Sequence, residues 1–180
     1  MSTLTVPPTE ADHYLGDLRA PVILVEYGDY ECPHTRRAAP WISALLREFG
    51  ANLCYVYRHY PLDAIHPHAT LAVLAAELAA ARGKFWELHE KLLSHTKVLS
   101  SDLMIELAAS VDISEVDLLT QLDDDPEIDH VTHDVVGGED SGVTSTPAFF
   151  FNGARLEGPV SFEILRTNLL HVLSGHRLSA

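Results

Sequence analysis

Cys32-Pro33-His34-Thr35 is the segment whose residue types and order could do covalent chemistry. It follows an apolar run, Val22 to Tyr27, and precedes a helix-like stretch from Arg36 to Phe49. A strand that delivers a cysteine to the first turn of a helix sets its sulfur among unpaired N–H groups and partial positive charge, which favour thiolate over thiol. Pro33 suits the first helical position, where its missing N–H costs nothing. The polar Gly28-Asp29-Tyr30-Glu31 ahead of it predicts an exposed turn, although Asp29 and Glu31 are like charges that disfavour a thiolate. Thr35 stands where a Cys-x-x-Cys pair has its second sulfur. The chain thus offers a nucleophile without the partner that would close a disulfide on it. Thr35 could instead donate its hydroxyl proton to the Cys32 sulfur.

Cys54 is the other sulfur in the chain, and spacing argues against it as a substitute partner. A helix over 36–49 carries the chain roughly 20 Å from Cys32 at 1.5 Å per residue. Disulfide geometry needs Cα atoms within about 7 Å. Cys54 reads as a core residue. Glu26 interrupts the apolar run, and a carboxyl buried in a strand has a raised pKa, which suits a proton acceptor near neutral pH.

The elements that position these residues follow from periodicity. Val22–Tyr27 reads as a strand buried on both faces, and Leu53–Tyr57 as a second, parallel one after the helix. Gly50 reads as the end of that helix, and Pro40 predicts a kink near Ala38 to Trp41. Helices are expected over 67–82, 84–95, 103–111, 116–122 and from Asp125-Pro126 to about Val136, with Ser114-x-x-Asp117 as a capping pair. Strand character returns at Ala148–Phe151, followed by an Asn152-Gly153 turn, a partner strand over 155–157 and a last helix from Ser161 to Leu173. The order β-α-β, helices, β-β-α predicts an α/β protein. Residues 14–180 form one domain, with a helical insertion over about 62–140 and a polar lead-in at 1–13.

The 180 residues and 47% hydrophobic content suffice for one buried core without disulfide staples. A net charge of −14 argues against nucleic acid, whose phosphates need clustered Lys and Arg. The first ten residues carry no basic residue and no apolar stretch, and the longest apolar run, Leu71 to Ala81, is broken by Glu77. Those features predict a cytoplasmic protein with no membrane partner.

Taken together and in this order, Val22–Tyr27, Cys32-Pro33-His34, Arg58-His-Tyr-Pro-Leu62, His66-Pro67-His68-Ala69, Gly83-Lys-Phe-Trp-Glu-Leu-His89 and Gly142-Val-Thr-Ser-Thr-Pro147 resemble the DsbA-like branch of the thioredoxin-fold disulfide oxidoreductases. The resemblance spans about 20–175. It implies a thioredoxin-like fold with an inserted helical subdomain. It implies that Cys32 attacks disulfides, that His34 helps stabilise the thiolate, and that Glu26, six positions ahead, assists proton transfer. It also implies a cis-proline loop at Thr146-Pro147 facing the sulfur, whose backbone pairs with substrate beside Pro33. The departure is Thr35, in place of the resolving cysteine.

With that departure the expected cycle is monothiol. Cys32 forms a mixed disulfide with a protein or small-molecule thiol, and an external thiol such as glutathione, a co-substrate and not a bound cofactor, resolves it. The alternatives are a kappa-type glutathione transferase or isomerase and a redox-inactive peptide-binding module; an iron–sulfur carrier is disfavoured by Pro33-His34. No metal is expected. His66, His68, His130 and His133 match no ligand spacing and read as solvated or helix-end residues.

Overall fold

The chain is described by a computed structural model covering residues 2–123 and 128–175. His13–Leu15 (β1) is followed by Val22–Gly28 (β2), the helix Pro33–Phe49 (α1) and Leu53–His59 (β3). The helices Ala69–Ala81 (α2), Phe85–Ser94 (α3), Ser101–Ala109 (α4), Glu115–Asp123 (α5) and Ile128–Asp140 (α6) come next. Ala148–Phe151 (β4), Ala154–Arg155 (β5) and Phe162–Leu173 (α7) close the chain. The predicted helix opening at Asp125-Pro126 lies partly outside the described residues.

The strands form one sheet in the order β1-β3-β2-β4-β5. β2 and β3 run parallel, with Val22 opposite Leu53 and Gly28 opposite His59. The outer pairings are antiparallel, with Glu26 opposite Phe149 and Tyr27 opposite Ala148. A β-α-β crossover followed by an antiparallel hairpin is the α/β order read from the sequence and the thioredoxin-like arrangement that the resemblance implies. β2 and β3 are nearly continuous apolar runs because helices cover both faces.

On one face, Ala38, Ile42, Leu45 and Phe49 of α1 recur at helical spacing and pack on Leu24, Tyr55 and Tyr57, together with Leu165 and Leu169 of α7. On the other, Val25, Tyr27, Cys54, Val56 and Phe150 meet Tyr60, Val143 and Val135. α2 is buried along most of its length, packed against α3, α4 and α5. Helix α1 continues through Pro40, which is exposed, and ends at Gly50 with φ +50°. Ser114 and Asp117 exchange hydrogen bonds as the predicted capping pair.

Two expectations change. The lead-in is part of the fold: Thr3 bridges Ala154, Leu4 donates to the Gly153 carbonyl, and Val6 O accepts from Arg58 Nη1. His13 already belongs to β1, an edge strand too short to show an alternating pattern. The partner strand after the Asn152-Gly153 turn is Ala154–Arg155, displaced from 155–157 because the hairpin turns immediately after Gly153 (φ +83°).

Gly28 ends β2 where the site begins, and its missing side chain is required. A Cβ there would lie 2.5 Å from Cε2 and 2.8 Å from the hydroxyl oxygen of Tyr57. Tyr57 is fully buried, with the Tyr30 and His89 rings centred 5.5 and 4.5 Å away. Gly28→Ala should therefore cost about 1–3 kcal/mol through overpacking. Urea unfolding measures this; a loss below about 0.5 kcal/mol, the range of neutral surface changes, would contradict the packing.

Candidate active site

The turn between β2 and α1 is built on Asp29, which is fully buried. Its carboxylate accepts from the Glu31 N–H (2.8 Å) and the Leu62 N–H (2.9 Å), and lies 2.7 Å from His66 Nδ1. Its carbonyl accepts from the Cys32 N–H at 3.1 Å. Glu31 in turn accepts from the His68 N–H at 2.7 Å, and His68 Nδ1 lies 3.2 Å from it. These contacts clamp the loop before α1 to the loop after β3, at the carboxyl ends of the two parallel strands, where α/β sheets carry their sites.

Cys32 is the residue that caps α1, in extended conformation, with Pro33 in the first turn. Its Sγ lies 3.3 Å from the carbonyl oxygen of Thr146, to which it donates. Thr146-Pro147 is a cis peptide bond. The structure thus brings the sulfur to the carbonyl that precedes cis-Pro147, with Pro33 next to the sulfur in sequence. His34 is exposed and lines, with Arg37, Trp41, Thr146, Pro147 and Val160, a groove of about 370 Å³.

Cys32 itself is only 4% exposed, so the expected exposed turn is corrected. The polar residues ahead of it face inward to the Asp29 hydrogen bonds, and the Thr146 loop covers the sulfur. Thr35 is corrected too. It is fully buried, and its Oγ1 accepts from the Asp29 N–H at 3.4 Å; among the described residues no hydrogen bond joins it to Cys32. Its hydroxyl supports the turn.

Glu26 lies in the middle of β2, on the face toward α1, and is 2% exposed. Burial pushes its carboxyl up to about 8, against the opposing effect of the Tyr55 hydroxyl, which donates to Oε2 at 2.8 Å. Cys54 is buried on the opposite face of the sheet, opposite Ile23 and hence at the other end of β2 from the Cys32 turn. Five strand residues separate those rows, about 17 Å at 3.3 Å each. Burial, then the charges of Asp17 and Asp12, push its thiol up to about 11. Both cysteines are free.

Sequence reasoning missed the roles of Asp29, His66 and His68. The available signal was a matched spacing: Asp29 and Glu31 are two apart, as are His66 and His68, and each acid pairs with its counterpart.

A family profile described as Thioredoxin matches residues 8–169. The chain belongs to the thioredoxin family. Its fold is the DsbA-like one. It superposes with a TM-score of 0.82 on BdbD from Bacillus subtilis, at 22% identity over 97% of this chain and 99% of that one. A periplasmic thioredoxin-like protein from Salmonella enterica serovar Typhimurium gives a TM-score of 0.76 at 20% identity, covering 96% and 94% of the two chains. A curated relative from Salinispora arenicola, named a Na(+)/H(+) antiporter NhaA 1, is 38% identical over 169 residues. That match takes in 94% of this chain but 26% of the relative, so the chain spans about a quarter of the length of the curated relatives it matches. The cytoplasmic assignment is overturned by these relatives, which are named as antiporters and, among the structures, as periplasmic. The features behind it, the composition of the first ten residues and the interrupted Leu71–Ala81 run, carry no weight against them. No helix among the described residues is long and apolar enough to cross a membrane.

Because the folded Glu26 holds its proton up to about pH 8 and an unfolded one only to about 4.5, the folded state binds the extra proton between those values. Stability from this group is therefore lost as pH rises through that window, at up to about 1.4 kcal/mol per unit. Glu26→Gln should be more stable than the parent at pH 8, with the gap closing toward pH 4.5. Unfolding free energies across that range test it; a constant gap would contradict the assignment.

Proposed function

We propose that the chain is a thiol–disulfide oxidoreductase working through Cys32 alone. The observation that carries this reading is the Cys32 sulfur at the start of α1, 3.3 Å from the carbonyl that precedes cis-Pro147. Family membership supports the same class of chemistry. The Cys32 thiolate attacks one sulfur of a substrate disulfide, the new S–S bond forms, and the other half leaves as a thiolate. An external thiol, glutathione being one candidate, then attacks the mixed disulfide and restores the Cys32 thiolate, carrying off the bound half as a new disulfide. Internal resolution is unavailable because Thr35 holds a hydroxyl and Cys54 lies across the sheet.

The thiol's bond to Thr146 O occupies the backbone acceptor that a substrate strand would use. Substrate entry therefore exchanges that bond for a short β-type pairing along Thr146, with His34, Pro33 and Pro147 around the reacting sulfur. Glu26 is assigned proton transfer during exchange, supported by its burial and raised pKa. The relatives' names support a setting at a membrane or beyond it. The low exposure of Cys32 favours one other reading, a redox-silent peptide-binding module.

Reduced protein mixed with a peptide disulfide, quenched and weighed by mass spectrometry, separates the two. The expected product is a single adduct on Cys32, released by added glutathione, absent in Cys32→Ser and unchanged in Cys54→Ser. Thr35→Cys should shorten the adduct's lifetime by at least about tenfold by supplying an internal attacking thiol. Absence of any adduct, with peptide binding unaltered by Cys32→Ala, would establish the silent module.

A further inference from the structure

Glu77 is the one charged residue of α2, a helix otherwise apolar but for Thr70 in its first turn, and three imidazoles from three other elements converge on its carboxylate. His13 Nε2 of β1 and His59 Nε2 of β3 each lie 2.7 Å from Oε1. His130 Nδ1 of α6 lies 3.5 Å from Oε2. The ligand atoms of His13, His59 and Glu77 fall within 4.8 Å of one another. His59 and Glu77 are buried, whereas the side chains of His13 and His130 are 13% and 28% exposed and form the solvent side of the cluster.

As protein alone the carboxylate is well paired through Oε1 but only loosely through Oε2. His130 Nδ1 faces the carboxylate at 3.5 Å, an ion-pair contact without hydrogen-bond geometry among the described residues. Buried polar atoms are paired in the great majority of cases, and an absent ion is one standard reason for an exception. A tetrahedral cation with bonds of about 2.0–2.2 Å holds its donors about 3.3 Å apart. The imidazole-to-carboxylate spacings of 2.7 and 3.5 Å lie either side of that value, with His130, the fourth donor, approaching from the Oε2 side.

We propose that His13, His59, Glu77 and His130 form a four-coordinate site for a late first-row divalent cation, with zinc the best match. Three imidazoles and one carboxylate suit zinc by donor type and number. The ligands come from β1, β3, α2 and α6, so the ion clips the N-terminal edge strand and two helices of the insertion onto β3. It neutralises Glu77 inside an apolar helix. No bond is made or broken beyond coordination, except that a ligating imidazole gives up its proton at the bound nitrogen. The site is separate from the thiol chemistry and stands whether or not that reading does.

The test uses the whole chain, stripped with a chelator and titrated with zinc by calorimetry. One ion per chain should bind and raise the Tm. His13→Ala and His130→Ala, both at the solvent side, should keep the fold and each weaken zinc by at least about tenfold, a loss that even outer-shell changes reach. Cys32→Ser and Cys54→Ser should bind as the parent does. Cobalt in place of zinc should give a tetrahedral visible spectrum without the sulfur-to-metal charge-transfer band. No saturable binding, or binding abolished by Cys32→Ser and indifferent to both histidine variants, would overturn the proposal.

Discussion

A buried carboxylate sets the geometry on which the candidate site depends. Asp29 has no exposure and hydrogen-bonds into both loops that leave the parallel strands. An unpaired ionised group there would carry a large desolvation penalty, so the loops must take the shape that satisfies it. That shape ends in the Asp29 carbonyl accepting from the Cys32 N–H, which leaves the sulfur at the mouth of α1 and directed at Thr146. The same demand explains Thr35. A hydroxyl at this position accepts from the Asp29 backbone, so the residue replacing a second thiol is recruited to hold the turn.

Most of the scaffold was legible because its determinants are local. Val22–Tyr27 and Leu53–Tyr57 are continuous apolar runs, and α1 carries Ala38, Ile42, Leu45 and Phe49 at one-face spacing. Gly50, at positive φ, ends α1 as its position suggested. The apposition of Cys32 and cis-Pro147 was legible only through the family resemblance, since the two are far apart in sequence. What escaped were pairings between distant polar residues. Asp29 read as a charge hostile to the thiolate because nothing local announces His66 or the Leu62 N–H as its partners. Glu77 read as a break in an apolar run, and His13 as the end of a lead-in, for the same reason.

The buried acids divide the fold between them. Glu26 is kept protonated near neutrality by burial between apolar strands, against the hydrogen bond it accepts from the Tyr55 hydroxyl. Glu77, surrounded by imidazoles, is held well below the usual carboxylate range even though burial opposes this. Two carboxyls in one core thus favour opposite protonation states because their neighbours differ. The thiols differ in their cover: Cys54 is sealed beneath the second face, whereas Cys32 sits behind a single loop beside an open groove.

The central claim is that Cys32 exchanges disulfides without an internal partner, and the occupancy of that sulfur in cells tests it most directly. Protein isolated with its thiols blocked at lysis, digested and sequenced by mass spectrometry, should carry a thiol adduct on Cys32 and a blocked, formerly free Cys54. Recovery of a Cys32–Cys54 disulfide, or of Cys32 wholly blocked and free of adduct under oxidising growth, would contradict the account.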